Sequence, residues 1–81
     1  MIPDFKSSEE RSAWIIANAD MFTVIRFHGR GKYERHEFKD ISSAETAARR
    51  MAAKTGARYL LYACAGIYDT FTKAIYPKQE G

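Results

Sequence analysis

The stretch Phe22-Thr23-Val24-Ile25-Arg26-Phe27-His28-Gly29-Arg30-Gly31-Lys32-Tyr33-Glu34-Arg35-His36-Glu37-Phe38 decides how this chain folds. Two runs of aromatic and β-branched residues flank Gly29-Arg30-Gly31, the pattern of a β-hairpin with a three-residue loop. Such loops end in a left-handed residue, a role that suits Gly31. One register sets Phe22 opposite Phe38, Arg26 opposite Glu34, Phe27 opposite Tyr33, His28 opposite Lys32 and His36 opposite Val24. A slip of one residue brings Arg26 against Arg35, and facing like charges destabilise a sheet. The first register is therefore expected.

Outward from the hairpin, the spacing predicts helices on both sides. Ser7 and Glu10 fit a capping box, so a helix is expected from about Ser8 to Ala19. Its cluster Ala13, Trp14, Ile15, Ile16 and Ala17 is too contiguous for one clean stripe. After the hairpin, Ser42 and Glu45 repeat the capping-box spacing. Ala44, Ala47, Ala48, Met51 and Ala52 then recur on one face, with Gly56 as a left-handed stop. Small side chains let this helix sit close to a sheet. Arg58 to Ala65 is apolar on both faces, as in a central strand covered on two sides. Gly66 to Asp69 read as a turn. Thr70 to Tyr76 then alternate, with Phe71, Lys73 and Ile75 on one face, until Pro77 ends the strand. The fold class is thus α+β: a two-layer α-β-β-α-β-β domain with an antiparallel sheet covered by an alanine-faced helix.

Composition bounds what such a domain can be. Eighty-one residues give a single domain, 1–81, with a short N-terminal arm (1–7) and a polar tail (77–81). Hydrophobic residues make up 46% and aromatic residues 14%, more than a disordered chain carries. No apolar run approaches the roughly 20 residues of a membrane span. A secretory signal is not evident in Met-Ile-Pro-Asp-Phe-Lys, and Cys64 is the only cysteine, so a cytoplasmic setting is expected. The 13 basic and 10 acidic side chains leave a net charge of +3, too mild to choose between partners.

No constellation points to catalysis. His28 and His36 share a strand face, but an eight-residue separation through a hairpin puts them about four positions apart, roughly 13 Å. A zinc ion needs ligands about 2 Å away, so no metal site is expected. Cys64 lies in an apolar run without a nucleophile signature. Glu34 and Glu37 fall on opposite strand faces and cannot act as a carboxylate pair. Gly29-Arg30-Gly31-Lys32 lacks the spacing of a phosphate loop. No enzyme activity and no cofactor are expected.

What remains is a binding surface. Arg26, Arg30, Lys32, Arg35 and Lys39 cluster with Phe27 and Tyr33, a mixture favoured by phosphates and unstacked bases. Glu34, Glu37 and Asp40 cancel part of that field, and the RNA-recognition signature fails at Glu34. Tyr59, Tyr62, Tyr68, Tyr76 and Trp14 exceed what a small core needs, and tyrosine, tryptophan and arginine are enriched at interface centres. In size and make-up the chain resembles small phage-encoded proteins that block host defences, anti-CRISPR proteins among them. The ββαββ part from Phe22 to Tyr76 also resembles the layout of several small bacterial domains. Tyr33 to Ala48 is similar to the strand-then-alanine-helix junction of integrase arm-type DNA-binding domains, although here two strands follow the helix. The expected function is a non-enzymatic binding module that occludes a protein or nucleoprotein target stoichiometrically, as an anti-CRISPR-type inhibitor would. The alternative is a small DNA- or RNA-binding domain using the 26–39 hairpin and the 49–54 helix face. The expected contacts are Arg30, Lys32, Tyr33 and Arg35, with Arg49 and Arg50 next.

Overall fold

The helices start where side chains take up free backbone donors. Ser7 caps α1 (Ser8–Ala17) by accepting from the Glu10 amide, while the Glu10 carboxylate accepts from the amide of Lys6, one residue earlier than a standard capping box. α1 ends at Ala17, with Asn18 as its C-cap, two residues short of the expected Ala19. α2 (Ile41–Thr55) is capped by Asp40 and not by Ser42. The Asp40 carboxylate accepts from both the amide and the hydroxyl of Ser43, and with the helix starting at Ile41, Ser42 already lies within its first turn. Gly56 closes α2 at φ 72°, the left-handed stop its position requires.

The computed structural model describes residues 4–77; residues 1–3 of the arm and 78–81 of the tail lie outside them. The element order is α1, β1 (Met21–Gly29), β2 (Lys32–Phe38), α2, β3 (Tyr59–Ala65) and β4 (Tyr68–Ile75). The strands form one antiparallel sheet in the order β2-β1-β3-β4. This is the expected α-β-β-α-β-β, two-layer α+β fold.

The β1–β2 register is the expected one: Phe22 faces Phe38, Arg26 faces Glu34 and Phe27 faces Tyr33. The turn differs. Gly29 pairs with Lys32, so His28 is bulged out of the ladder and the loop is the two residues Arg30-Gly31. Both loop residues have positive φ, 54° and 75°, as a type I′ turn demands. β4 departs from the sequence pattern as well. It starts at Tyr68 because Gly66, at φ 62°, and Ile67 suffice for a tight turn. An irregularity follows: Leu61 faces Lys73 but Tyr62 faces Phe71, which leaves Thr72 as an extra residue. Phe71 therefore lies on the opposite sheet face from Lys73 and Ile75, where simple alternation had grouped them.

Both helices lie on one side of the sheet. Ala44, Ala48 and Ala52 of α2 are fully buried with Phe22, Val24, Tyr59, Leu61, Ala63 and Ile75. Ile15 of α1 joins the same core, and the Ser12 hydroxyl lies 2.8 Å from that of Thr70. Thr70 shares a cross-strand row with Phe38, Phe22 and Ala63, which fixes α1 on α2's side. Among the described residues β3 is therefore covered on one side and not on two. Its residues alternate strictly, Tyr59, Leu61, Ala63 and Ala65 buried and Leu60, Tyr62 and Cys64 half-buried. An antiparallel sheet tolerates one solvated face, and its apolar outer residues here shelter each other.

Candidate functional site: the open sheet face and the hairpin tip

The sheet face away from the helices carries no covering element among the described residues. Its side chains fall in cross-strand rows. Glu37, Thr23, Tyr62 and Phe71 form one; Arg35, Ile25, Leu60 and Ala74 form the next. Tyr33 and Phe27 make a third toward the hairpin tip, and Met21, Cys64 and Asp69 a fourth at the other end. Two aromatic pairs dominate it. Tyr62 and Phe71 meet edge to face at 5.6 Å, and Phe27 and Tyr33 stand 6.1 Å apart. Phe27 is 60% exposed, Tyr33 56% and Phe71 49%. Rings of this size left in water are the unusual feature of the molecule, because burying each would be favourable.

Beside Tyr62 the face is dented by a hollow of about 240 Å³ lined by Thr23, Ile25, Arg35, Tyr62, Cys64 and Asp69. Thr23 forms its floor, only 2% exposed although it faces outward. The Cys64 sulfur lies 3.7 Å from the Thr23 hydroxyl. Charge on this face is sparse: Arg35 is held 3.1 Å from Glu37, and Asp69 lies toward the far edge. Both sheet edges are guarded. β2 carries Lys32, Glu34, Arg35 and Glu37, and β4 carries its irregularity and Lys73, features that discourage strand addition.

The sequence-selected residues do not share one surface. Arg30 is in the hairpin turn, with Lys32 directly after it. Tyr33 and Arg35 lie on the open face. Arg49 and Arg50 are exposed on α2, in the other layer, and Arg49 is engaged by Glu45 at 3.2 Å. Glu45 also holds Lys73 at 2.8 Å, which ties α2 to β4. That Lys73 hydrogen bond keeps the Glu45 carboxyl below its ordinary pKa. Of the tyrosines, Tyr59 is buried, Tyr62 and Tyr68 are partly covered, and Tyr76 is exposed, as the residue after the last strand.

The histidines meet a carboxylate that strand spacing did not reveal. His28, freed by the bulge, places Nε2 3.1 Å from Glu34 Oε2, and Tyr59 donates its hydroxyl to Glu34 Oε1 at 3.0 Å. His36 Nε2 is shielded from solvent 3.6 Å from the same Oε1, beyond hydrogen-bond length. The hydrogen bonds from His28 and then Tyr59 hold Glu34 below its ordinary pKa, against the opposing pull of desolvation. The two imidazoles address different oxygens, and among the described residues no group of three such side chains could hold a metal ion. Four of the hollows on the described surface are lined by other residues than His28, Glu34 and His36. Tyr62, one of the surplus tyrosines, is on the open face with Phe71, which was not among the expected contacts; neither was Arg58 before β3. The first two were assigned by a two-sided strand and an unbroken alternation; Arg58 had no signal.

Comparison with known protein families, with curated proteins and with solved structures returned no match. No helix among the described residues is long and apolar enough to cross a membrane.

Proposed function

We propose that this chain acts by docking stoichiometrically on a protein or nucleoprotein partner, with the open sheet face as its main contact and without turning over a substrate. The observation that carries the reading is the pair of aromatic clusters, Phe27–Tyr33 and Tyr62–Phe71, on a sheet face that no helix of the described residues covers. Rigid rings flanked by polar residues are the composition of interface centres. The guarded edges favour docking on the face over strand addition. Arg30 and Lys32 at the tip supply steering charge toward an acidic rim or a bound nucleic acid. The single thiol is consistent with a target in a reducing cytoplasm. The likeness to phage-encoded inhibitors in size and make-up names no target, so the reading rests on the face alone.

The test is a double substitution, Tyr33→Glu with Phe71→Glu, at two solvent-facing positions. The parent should retain a partner at one-to-one stoichiometry, and the variant should lose it while keeping its thermal midpoint within a few degrees. Retention by a folded variant would remove the open face from the interface.

Direct nucleic-acid binding is the second reading, and the basic tip favours it. The α2 arginines lie in the other layer from Tyr33, so only the hairpin end would serve. Its affinity should fall steeply with salt, because phosphate contacts release counterions. A gel shift empty at low salt for single- and double-stranded DNA and RNA would dismiss it.

A further inference from the structure

β1 and β3 part company toward the hairpin tip. Their last paired residues are Ile25 and Leu60, yet β1 runs on to Gly29. The parting opens a hollow of about 220 Å³ lined by Arg26, Phe27, Ala57, Arg58 and Leu60. We propose that this notch binds a phosphate group carried beside a planar ring, as in a nucleotide, with Arg26 and Arg58 on the phosphate and Phe27 on the ring.

Two features make the guanidinium groups available. The cross-strand neighbour of Arg26 is Glu34, but its carboxylate is already engaged by His28 and Tyr59. Among the described residues neither Arg26 nor Arg58 forms an ion pair. Two like charges lining one hollow repel each other, and an anion between them reverses the sign of that interaction. A guanidinium presents a planar fork of donors, and a second fork needs further acceptor oxygens. A carboxylate satisfies one such fork; a phosphate has oxygens for both. Phe27 lines the same hollow, is 60% exposed, and is braced by Tyr33 at 6.1 Å. A ring in that position stacks on a nucleobase whatever its sequence. The site goes beyond the docking reading and does not depend on it: it shares Phe27 with the aromatic row, but its charge comes from Arg26 and Arg58, which the docking reading does not use.

The test is a titration of the full chain at low salt, followed by backbone amide NMR, with adenosine monophosphate, adenosine, inorganic phosphate and a short oligothymidylate as separate probes. Adenosine monophosphate should give saturable shifts centred on residues 26, 27, 57, 58 and 60. Inorganic phosphate should move the arginine neighbours at tenfold or weaker affinity, and adenosine alone should move little. Arg58→Gln, at an exposed position, should weaken adenosine monophosphate at least tenfold. Arg26→Gln should do the same and, because Arg26 is half-buried, is read only if its spectrum shows it folded. Lys6→Gln, before α1 at the other end of the sheet, should leave affinity unchanged. Tighter binding of the oligothymidylate upholds the site and makes a single strand its source; tighter binding of the monophosphate upholds it with a free nucleotide as the source. Shifts centred elsewhere, no saturation at millimolar monophosphate, or full affinity in Arg58→Gln overturns the proposal. Loss of partner capture through the open face would leave these results untouched, so the two readings fail separately.

Discussion

Glu34 is the residue on which the helix-side end of the hairpin turns, because His28 and Tyr59 both donate to it. Its pKa is lowered on folding, so its contribution to stability is present above the unfolded carboxylate range and is lost as pH falls through the folded value. Glu34→Gln should therefore lower the thermal midpoint near neutral pH, and the gap to the parent should close as the solution is taken below about pH 4. A gap that stays constant with pH would mean the carboxylate charge is not what matters. Arg30 makes a second case at this scale. At φ 54° it is the one described non-glycine residue in the left-handed region. Asparagine tolerates that region better than arginine, so Arg30→Asn should stabilise the chain by about 0.5 kcal/mol in urea denaturation. The sequence pointed to a glycine-rich turn but placed one positive φ where three occur, at Gly29, Arg30 and Gly31. Bulging His28 out of the ladder shortens the loop to two residues, and nothing local in the composition marks that choice. The same bulge brings His28 to Glu34, so the histidine cluster was illegible for the same reason.

Among the elements, α2 is the one whose sequence was most nearly sufficient. Its alanine stripe lets the axis approach the sheet, and Ala44, Ala48 and Ala52 are each fully buried there. Ala48→Leu should force the layers apart and cost about 1–3 kcal/mol, measured by urea denaturation. The cap discriminates further. Asp40→Ala should cost about 1 kcal/mol through loss of the bonds to Ser43, whereas Ser42→Ala should change stability by less than about 0.5 kcal/mol. Equal costs would restore Ser42 as the cap. Ser42 and Asp40 are both good caps by type, and only geometry chooses between them. β4 was harder to read. The strand is legible from its β-branched and aromatic residues, but the extra Thr72 reverses the alternation between Phe71 and Lys73. The Thr72 hydroxyl donates to the Leu61 carbonyl across that irregularity, a tertiary contact with no sequence signature. Without it Phe71 joins the core face, and the outer aromatic pair with Tyr62 disappears from view.

At the scale of the molecule, both helices pack against one side of a four-stranded sheet and, among the described residues, leave its other side uncovered. The strand count, their order along the chain and the β1–β2 register followed from hydrophobic periodicity and charge pairing. The side chosen by α1 did not, because Trp14, Ile15 and Ile16 are contiguous enough to suit either face. In the fold, Ile15 is fully buried in the core it shares with the α2 alanines and Ile16 is exposed, which puts α1 on the same side of the sheet as α2. The position of α2 on that side separates Arg49 and Arg50 from Tyr33 and Arg35, and it leaves Phe27, Tyr33, Tyr62 and Phe71 together on the open face. The most direct measurement is site-specific photo-crosslinking in the native cellular source, with a photoreactive phenylalanine placed in turn at Tyr62 and Phe71 on the sheet and at Ala53 on the exposed side of α2. If the sheet face is the working surface, one adduct of defined mass should form from positions 62 and 71 and none from 53. Adducts from position 53 alone, or none from either sheet position, would contradict it.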